Sequence, residues 1–393
     1  MSTTFGRARL AEWPLDPAKI YLNHGTVGVA PLRVIAAQQA IRDAMERHPA
    51  TFMFRDANHL AGRTVSEVPR MRAAAAEIAA FLGARGEDLV FVDNATAGVN
   101  AVLRSLEWHE GDEVLVTDHS YGAVTLAARG VTRTFGAVVR EVVFPRPAVR
   151  AEAILEAVIA ALGPRTRLAI LDHITSSSAL VLPIERLIAA CHARGVPVLV
   201  DGAHAPGALA LDLPAIGADW YTGNLHKWAF APRSCGILWA PPERQAGLHA
   251  PVLSWGLDQG FVAEFDWMGT RDPSPWLAAP EGVRALRDWG LDAIRGHNHA
   301  LAWNGAHEIA RTVGTRFDVE EAMVGCMATL PLPDLFGATM DDATRLRDAL
   351  LFDDGIEVPV LSFQDRLWLR LSAQLYNDET DIAKLADALI RRG

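Results

Sequence analysis

Between residues 20 and 240 the chain alternates short, fully apolar runs with stretches of helical spacing. Leu89-Val90-Phe91-Val92 predicts a buried strand. After the turn at 94–100, Ala101-Val102-Leu103-Arg104-Ser105-Leu106 has helical spacing. The runs 113–116 and 168–172 predict further strands, and the second leads into a helix over 184–194. Pro197-Val198-Leu199-Val200-Asp201 is the next strand, and Gly236-Ile237-Leu238-Trp239 reads as a later strand of the same sheet. Uninterrupted apolar strands separated by helices indicate a parallel sheet covered on both faces. Such sheets bind ligands at the carboxyl ends of their strands, so chemistry is expected just after each run.

The texture changes after Pro241-Pro242. A Trp/Gly-rich stretch over 254–276 reads as loop, a helix is expected over about 280–314, and 315–393 mixes strands and helices. The last of these is amphipathic, near 379–391. The pattern predicts an α/β protein in two units: a large domain over 20–265, and a small α+β domain from 1–19 with 266–393.

Composition narrows the function classes. A net charge of −10 argues against nucleic acid or an anionic membrane as the main partner. No apolar run is long enough to span a bilayer, and residues 1–14 show no leader pattern. Cys191, Cys235 and Cys326 are few and unclustered, which excludes a disulfide framework or a metal site built on cysteine and suits a reducing cytoplasm. No metal is expected.

Candidate chemistry starts from lysine. Of 37 basic residues only Lys19, Lys227 and Lys384 are lysine. Lys227 lies in Thr222-Gly223-Asn224-Leu225-His226-Lys227-Trp228, away from charged surface texture. Arginine cannot replace a lysine used for its amine, because the guanidinium stays protonated and forms no Schiff base. Asp201 closes an apolar strand 26 residues earlier. A buried carboxylate needs a positive partner, and a protonated pyridine nitrogen would serve; the alternative is a capping or turn residue. An aspartate on the ring nitrogen and a lysine on the aldehyde are the two requirements of pyridoxal phosphate (PLP). Ala95-Thr96-Ala97-Gly98, between a strand and a helix, offers N–H groups to a phosphate, or is simply the first turn of a helix capped by Asn94.

Ordered segments then carry a resemblance. They are Tyr21-Leu22-Asn23-His24-Gly25-Thr26, Asn94-Ala95-Thr96, Thr117-Asp118-His119-Ser120-Tyr121-Gly122-Ala123 and Asp172-His173-Ile174-Thr175-Ser176, then Val200-Asp201-Gly202-Ala203-His204-Ala205-Pro206-Gly207 and the Lys227 segment. Trp368-Leu369-Arg370-Leu371-Ser372, with Tyr376-Asn377, follows near the end. Over about 20–390 the chain resembles the class V branch of fold-type-I PLP enzymes, and most of all its isopenicillin N epimerase-like subgroup. The resemblance implies a mainly parallel seven-stranded sheet in the large domain, a smaller α+β domain and a homodimer with a shared active site. It implies that Lys227 holds PLP and that Asp201 pairs with the ring nitrogen. His204 and Ser176 would lie near the ring oxygen. Ala95, Thr96, Thr222 and His226 would contact the phosphate, and Thr270 would reach the phosphate of the neighbouring subunit. His119 falls where an imidazole stacks on the ring, with Tyr121 as its rival. Arg370 would clamp a substrate α-carboxylate, with Arg55 as the next candidate, and Asn23 and His24 would line the same pocket.

Two departures shape the expected activity. The stretch 355–369 lacks the mobile cysteine of cysteine desulfurases, and Cys326 sits at the start of an expected strand, so persulfide chemistry is not expected. The residues Asn224-Leu225 lengthen the lysine loop, as in the epimerase-like subgroup. The reading is a PLP enzyme acting at Cα or Cβ of an amino acid or amino-acid-derived substrate, with epimerisation, transamination and C–S β-elimination all open. A non-catalytic PLP-fold binding protein is the alternative of another class. A Rossmann-type nucleotide enzyme would need a G-x-G-x-x-G turn, which is missing.

Overall fold

The structure is a computed structural model that describes residues 4–145 and 149–393. Residues 1–3, which belong to the expected leaderless start and to the small-domain stretch 1–19, lie outside the described residues.

Seven strands form one sheet: β1 (Leu89–Val92), β2 (Glu113–Thr117), β3 (Val138–Val142), β4 (Thr166–Asp172), β5 (Val198–Gly202), β6 (Trp220–Asn224) and β7 (Gly236–Trp239). Their order is β1-β7-β6-β5-β4-β2-β3. Only β7 runs against its neighbours, β1 and β6; the other pairings are parallel. Alternation explains why these strands are apolar throughout. Leu89, Phe91, Val198 and Val200 enter one buried cluster, while Val90, Val92 and Leu199 enter another on the opposite face. Strand β3 escaped the sequence pattern because it lies at the sheet edge and is only partly buried, as Val-Val-Arg-Glu-Val.

Helices cover both faces. They include α1 (Leu32–Arg47), α2 (Arg70–Phe81), α3 (Ala95–Ser105), α4 (Gly122–Thr132), α5 (Ala151–Ala161) and α6 (Ile184–His192). The expected helix over 280–314 is two helices, α7 (Ser274–Trp289) and α8 (Leu291–Thr312). Gly290, at φ 85°, ends the first in a left-handed conformation that a side chain would disfavour. The expected loop over 254–276 carries a short helix, Phe261–Asp266.

A second core gathers Ile20, Leu22 and apolar residues from 301 to 389. It holds a three-stranded antiparallel sheet of β8 (Met327–Pro331), β9 (Val360–Phe363) and β10 (Arg366–Ser372), in the order β9-β10-β8. The helices α9 (Met340–Asp348) and α10 (Glu379–Ile390) complete it. Trp276, Val283 and Leu286 of α7, and Trp13 near the N-terminus, pack with the large sheet's core. The chain passes between cores within α8, where Ile294 belongs to the first and Leu301 to the second. The cleft between the two units lies at the carboxyl ends of β4, β5 and β6, beside the carboxyl end of β10.

Candidate active site

Two acids meet at the sheet's carboxyl edge. Asp172 ends β4 and faces Asp201 of β5 in register, and each is about 3% exposed. Burial, and then the neighbouring Asp201 charge, hold Asp172 well above the usual carboxylate range, against the pull of bonds from the Ser120 hydroxyl and the Tyr121 N–H. Burial also raises Asp201; the Ala203 N–H, 3.0 Å from its Oδ1, and the Lys227 charge partly offset this. Two buried carboxylates that share a cavity with a single lysine are short of positive charge, and that deficit is what a cationic ring nitrogen would relieve.

Lys227 follows β6 and is half-buried in the wall of the site. Burial, then the Arg370 charge, lower its amine to about 8. Its Nζ lies 3.1 Å from His204 Nε2, and Trp228 Nε1 lies 3.5 Å from His204 Nδ1. An indole N–H only donates, so His204 Nδ1 accepts and the ring proton resides on Nε2. Burial, and then the Lys227 charge, hold His204 well below its ordinary value, so its ring is neutral.

A cavity of about 230 Å³ is lined by Lys227, His204, Asp201, Asp172, Thr96 and His226, together with Ala95, Tyr121 and Ser176. Helix α3 presents its N-terminus there, capped by Asn94, whose side chain accepts from the Ala97 N–H at 2.9 Å. The Ala95 N–H is taken by Asn224 Oδ1 at 2.8 Å, so Ala95 lines the cavity without that donor. His226 Nδ1 bonds the Cys235 carbonyl at 2.9 Å, a contact that fixes the ring beside the cavity.

Three expected placements differ. The His119 ring turns away: its Nδ1 lies 2.6 Å from Ser178 Oγ, and it packs on Phe144 with centroids 4.6 Å apart. It lines a separate cleft with Phe363 and Trp368, whereas Tyr121, 47% exposed, lines the Lys227 cavity. The Thr222 hydroxyl donates to the Ile237 carbonyl at 2.8 Å and packs against Gly98, so it is spent inside the fold. His24 lines neither this cavity nor the adjoining one. It is fully buried, with Nδ1 2.8 Å from the Tyr376 hydroxyl and Nε2 3.0 Å from the Lys227 carbonyl, and so braces the lysine loop from behind. Thr270, expected to serve the neighbouring subunit rather than this cavity, is exposed on a loop outside it.

Arg370 reaches the cleft from β10. It is 4% exposed, and burial lowers its guanidinium to about 10. Nη1 donates to the Ser176 carbonyl and Nη2 to Thr26 Oγ1, each at 2.7 Å, while the buried Nε has no partner among the described residues. A buried cation with no carboxylate beside it suits an anionic ligand. Arg55 is committed elsewhere, donating to the Arg63 carbonyl at 2.9 Å. A wider cavity of about 630 Å³ is lined by Arg370 and Asn23 and shares Lys227, Thr26, Tyr121 and Ser176 with the first. Cys326 is buried, and its thiol is pushed up to about 12, which makes it a poor nucleophile. Away from the cleft, His249, Asp258 and Glu264 bring possible ligand atoms within 4.8 Å of one another, but His249 already bonds Glu264 at 3.0 Å.

The sequence reading assigned no role to Asp172, Thr26 or Asn224. Asp172 carried the same signal as Asp201, an acid closing an apolar strand. Thr26 and Asn224 act through contacts 344 and 129 residues away, which spacing does not reveal.

The buried histidines make stability depend on pH. Burial holds His24 and His173 at about 4, against an ordinary 6.5. Between those values the unfolded chain takes up protons that the folded one refuses. Their contribution is therefore complete above 6.5 and is lost as pH falls toward 4. Melting temperature should fall steeply over that window; a flat profile in thermal melts across it would show that these rings are not held neutral.

The surrounding fold and sequence have known counterparts. A solved C-DES variant with glycine covalently linked to the PLP cofactor superposes with a TM-score of 0.77 at 19% identity, covering 98% of this chain and 99% of that one, a likeness that shows the fold. Isopenicillin N epimerase of Amycolatopsis lactamdurans is 33% identical, over 99% of this chain and 98% of its own length. A protein of Oryza sativa subsp. japonica named putative L-cysteine desulfhydrase 1 is 32% identical, over 94% of this chain and 82% of its own. The profile of the family described as Aminotransferase class-V matches residues 21–385. The lysine after β6, the buried aspartate near the end of β5 and full-length agreement with these proteins lead to one conclusion: the chain belongs to the class-V aminotransferase family of PLP-dependent enzymes.

Proposed function

We propose that this protein binds the α-carboxylate of an amino acid or amino-acid-derived substrate through Arg370 and moves the proton at Cα with Lys227. The observation that carries this reading is that Lys227, with its lowered amine, lines one cavity with Asp172 and Asp201 and an adjoining one with Arg370, a buried cation that no carboxylate pairs among the described residues. Bound PLP supplies the electron sink that makes Cα or Cβ reactive. Asp201 would face its ring nitrogen, Tyr121 its face, His204 and Ser176 its ring oxygen, and Thr96 and His226 its phosphate. Lys227 would hold its aldehyde, then act as general base once released. An amine near 8 exchanges protons readily at neutral pH. Asp172 fixes the turn that carries Tyr121.

Epimerisation at Cα is the outcome we favour among those open. The wider cavity, of about 630 Å³, suits a substrate larger than cysteine, and the relative named isopenicillin N epimerase favours the same outcome. A C–S β-lyase is the second reading, favoured by the relative named as a desulfhydrase. Thr270, exposed beside a loop carrying Trp255 at 74% exposure, supports a homodimer in which that loop meets the partner. Light scattering should then give twice 42.6 kDa, and an active monomer would refute it.

The deciding experiment incubates holoenzyme with a panel of amino acids in deuterated water. Label at Cα with inversion indicates epimerisation. Conversion to the pyridoxamine form indicates transamination, and pyruvate or another eliminated fragment indicates a lyase. Arg370→Lys keeps the charge but loses the planar fork, so amino acids should bind more weakly by about 1–3 kcal/mol, and the matching amines should be affected less. If no amino acid exchanges its Cα proton or changes the absorbance, the proposal fails.

A further inference from the structure

The small sheet that carries Arg370 is tied to the large unit through one turn. Arg370 Nη1 donates to the Ser176 carbonyl at 2.7 Å, and Thr329 Oγ1 of β8 donates to the Ser177 carbonyl at 2.9 Å. Both carbonyls belong to the turn 175–180, which follows β4. The turn closes on itself. The Thr175 N–H donates to the Leu180 carbonyl at 2.9 Å, and the Leu180 N–H donates to Thr175 Oγ1 at 2.8 Å. Ala179 sits at φ 57°, a left-handed backbone that a side chain disfavours. The middle of the turn is held from outside: Ser178 Oγ lies 2.7 Å from Thr175 Oγ1 and 2.6 Å from Nδ1 of His119, which is 4% exposed. Phe144 packs on the imidazole from the large unit with centroids 4.6 Å apart, and Phe363 packs on it from the small unit at 5.1 Å. Gln364, at the tip of the β9–β10 hairpin, brings Nε2 to 3.3 Å from His119 Nε2. One imidazole thus touches both the turn that receives Arg370 and the hairpin that carries it.

We propose that His119 is a positioning residue for Arg370: by holding Ser178 it fixes the turn, and so the place of the Ser176 carbonyl that aims the guanidinium at the cleft. This rests on the reading of Arg370 as the carboxylate clamp and adds the group that orients it. Arg370 Nε has no partner among the described residues, so the fork is directed by the Ser176 carbonyl and Thr26 Oγ1. Of these two, the carbonyl is backbone and moves with the turn. Bidentate pairing with a carboxylate needs both N–H groups in line, so a small displacement of the turn tilts the fork out of alignment. His119 acts at a distance, since it does not line the Lys227 cavity.

The test is a spectral titration of holoenzyme with alanine and with ethylamine, which is alanine without its carboxylate. In His119→Ala the affinity for alanine should fall by about tenfold, the size of one hydrogen bond to a charged group, while that for ethylamine stays within about twofold. Ser178→Ala should reproduce the loss. The double variant should be no worse than either single one, because both substitutions break the same contact. His119→Asn, whose amide can occupy the place of Nδ1, should recover most of the affinity. Before substrate is added, the visible absorbance of every variant should match the native protein, which also reports an intact fold. Additive losses, equal losses for alanine and ethylamine, or an altered starting absorbance in His119→Ala overturn the proposal, the last by placing the ring against the cofactor. If Arg370→Lys loses the preference for alanine while His119→Ala and Ser178→Ala keep it, the positioning role falls and the clamp stands. A native protein that binds ethylamine as well as alanine, or responds to neither, overturns the clamp and this proposal with it.

Discussion

Lys227→Ala should lose turnover and the visible absorbance of the holoenzyme together. The amine has two duties in the proposed chemistry, covalent attachment and proton transfer. A positioned general base alone contributes roughly 10²–10⁴-fold, so the loss should reach about 10³-fold or more. Lys227→Arg should be no better, because a guanidinium does not shed its proton in this range. The fold should survive either change. His24 holds the Lys227 carbonyl, a contact that any residue at this position keeps. Neither remaining lysine can substitute. Lys19 lies 3.4 Å from the Leu351 carbonyl at the base of the small unit, and Lys384 is exposed on α10. Borohydride reduction of holoenzyme followed by peptide mapping checks the assignment directly, and a pyridoxyl label on Lys19 or Lys384 would sink it.

The lysine and the aspartate stood out in the sequence because each breaks its local pattern: Lys227 is a rare residue in a small-residue loop, and Asp201 an acid ending an apolar strand. Arg370 was singled out by the resemblance alone. The fold was legible for a related reason: strands buried on both faces are apolar at every position, which a solvated loop does not imitate. What the sequence left open was the direction of side chains within turns. His119 and Tyr121 sit two residues apart between β2 and α4, and their spacing does not say which one faces the cleft. The choice is made by Ser178 and Phe144, which engage His119 from other segments. Thr222 and His24 illustrate the same point. Each stands in a motif, yet each is satisfied inside the fold, Thr222 by the neighbouring strand β7 and His24 by Tyr376, 352 residues away. The single helix expected over 280–314 was divided at Gly290, whose left-handed backbone ends the first helix.

Asp201→Asn should produce two effects of opposite sign. In the cofactor-free protein, Asp201 is a buried carboxylate beside Asp172, raised by burial above its ordinary 3.8. A group raised in this way costs stability once pH exceeds its unfolded value, because the unfolded chain ionises it more easily. Asparagine removes that charge and the repulsion of Asp172, and its carbonyl can still accept from the Ala203 N–H. The cofactor-free variant should therefore melt at a higher temperature than the native protein at neutral pH. With cofactor the sign reverses. In the proposed chemistry the carboxylate would then be the counter-charge of the ring nitrogen, and its loss should cut turnover by about 10²-fold or more, as removal of a preorganised electrostatic partner does elsewhere. Asp172→Asn separates the two acids. It relieves the same repulsion, but its bonds are with Ser120 and Tyr121, so its effect on turnover should be smaller and should come through loosening of the Tyr121 turn. Thermal melts of cofactor-free protein and turnover of holoenzyme, measured on both variants, provide the check. If Asp201→Asn lowers the cofactor-free melting temperature, or leaves turnover intact, this carboxylate is an ordinary structural acid and the cationic partner must be sought at Asp172.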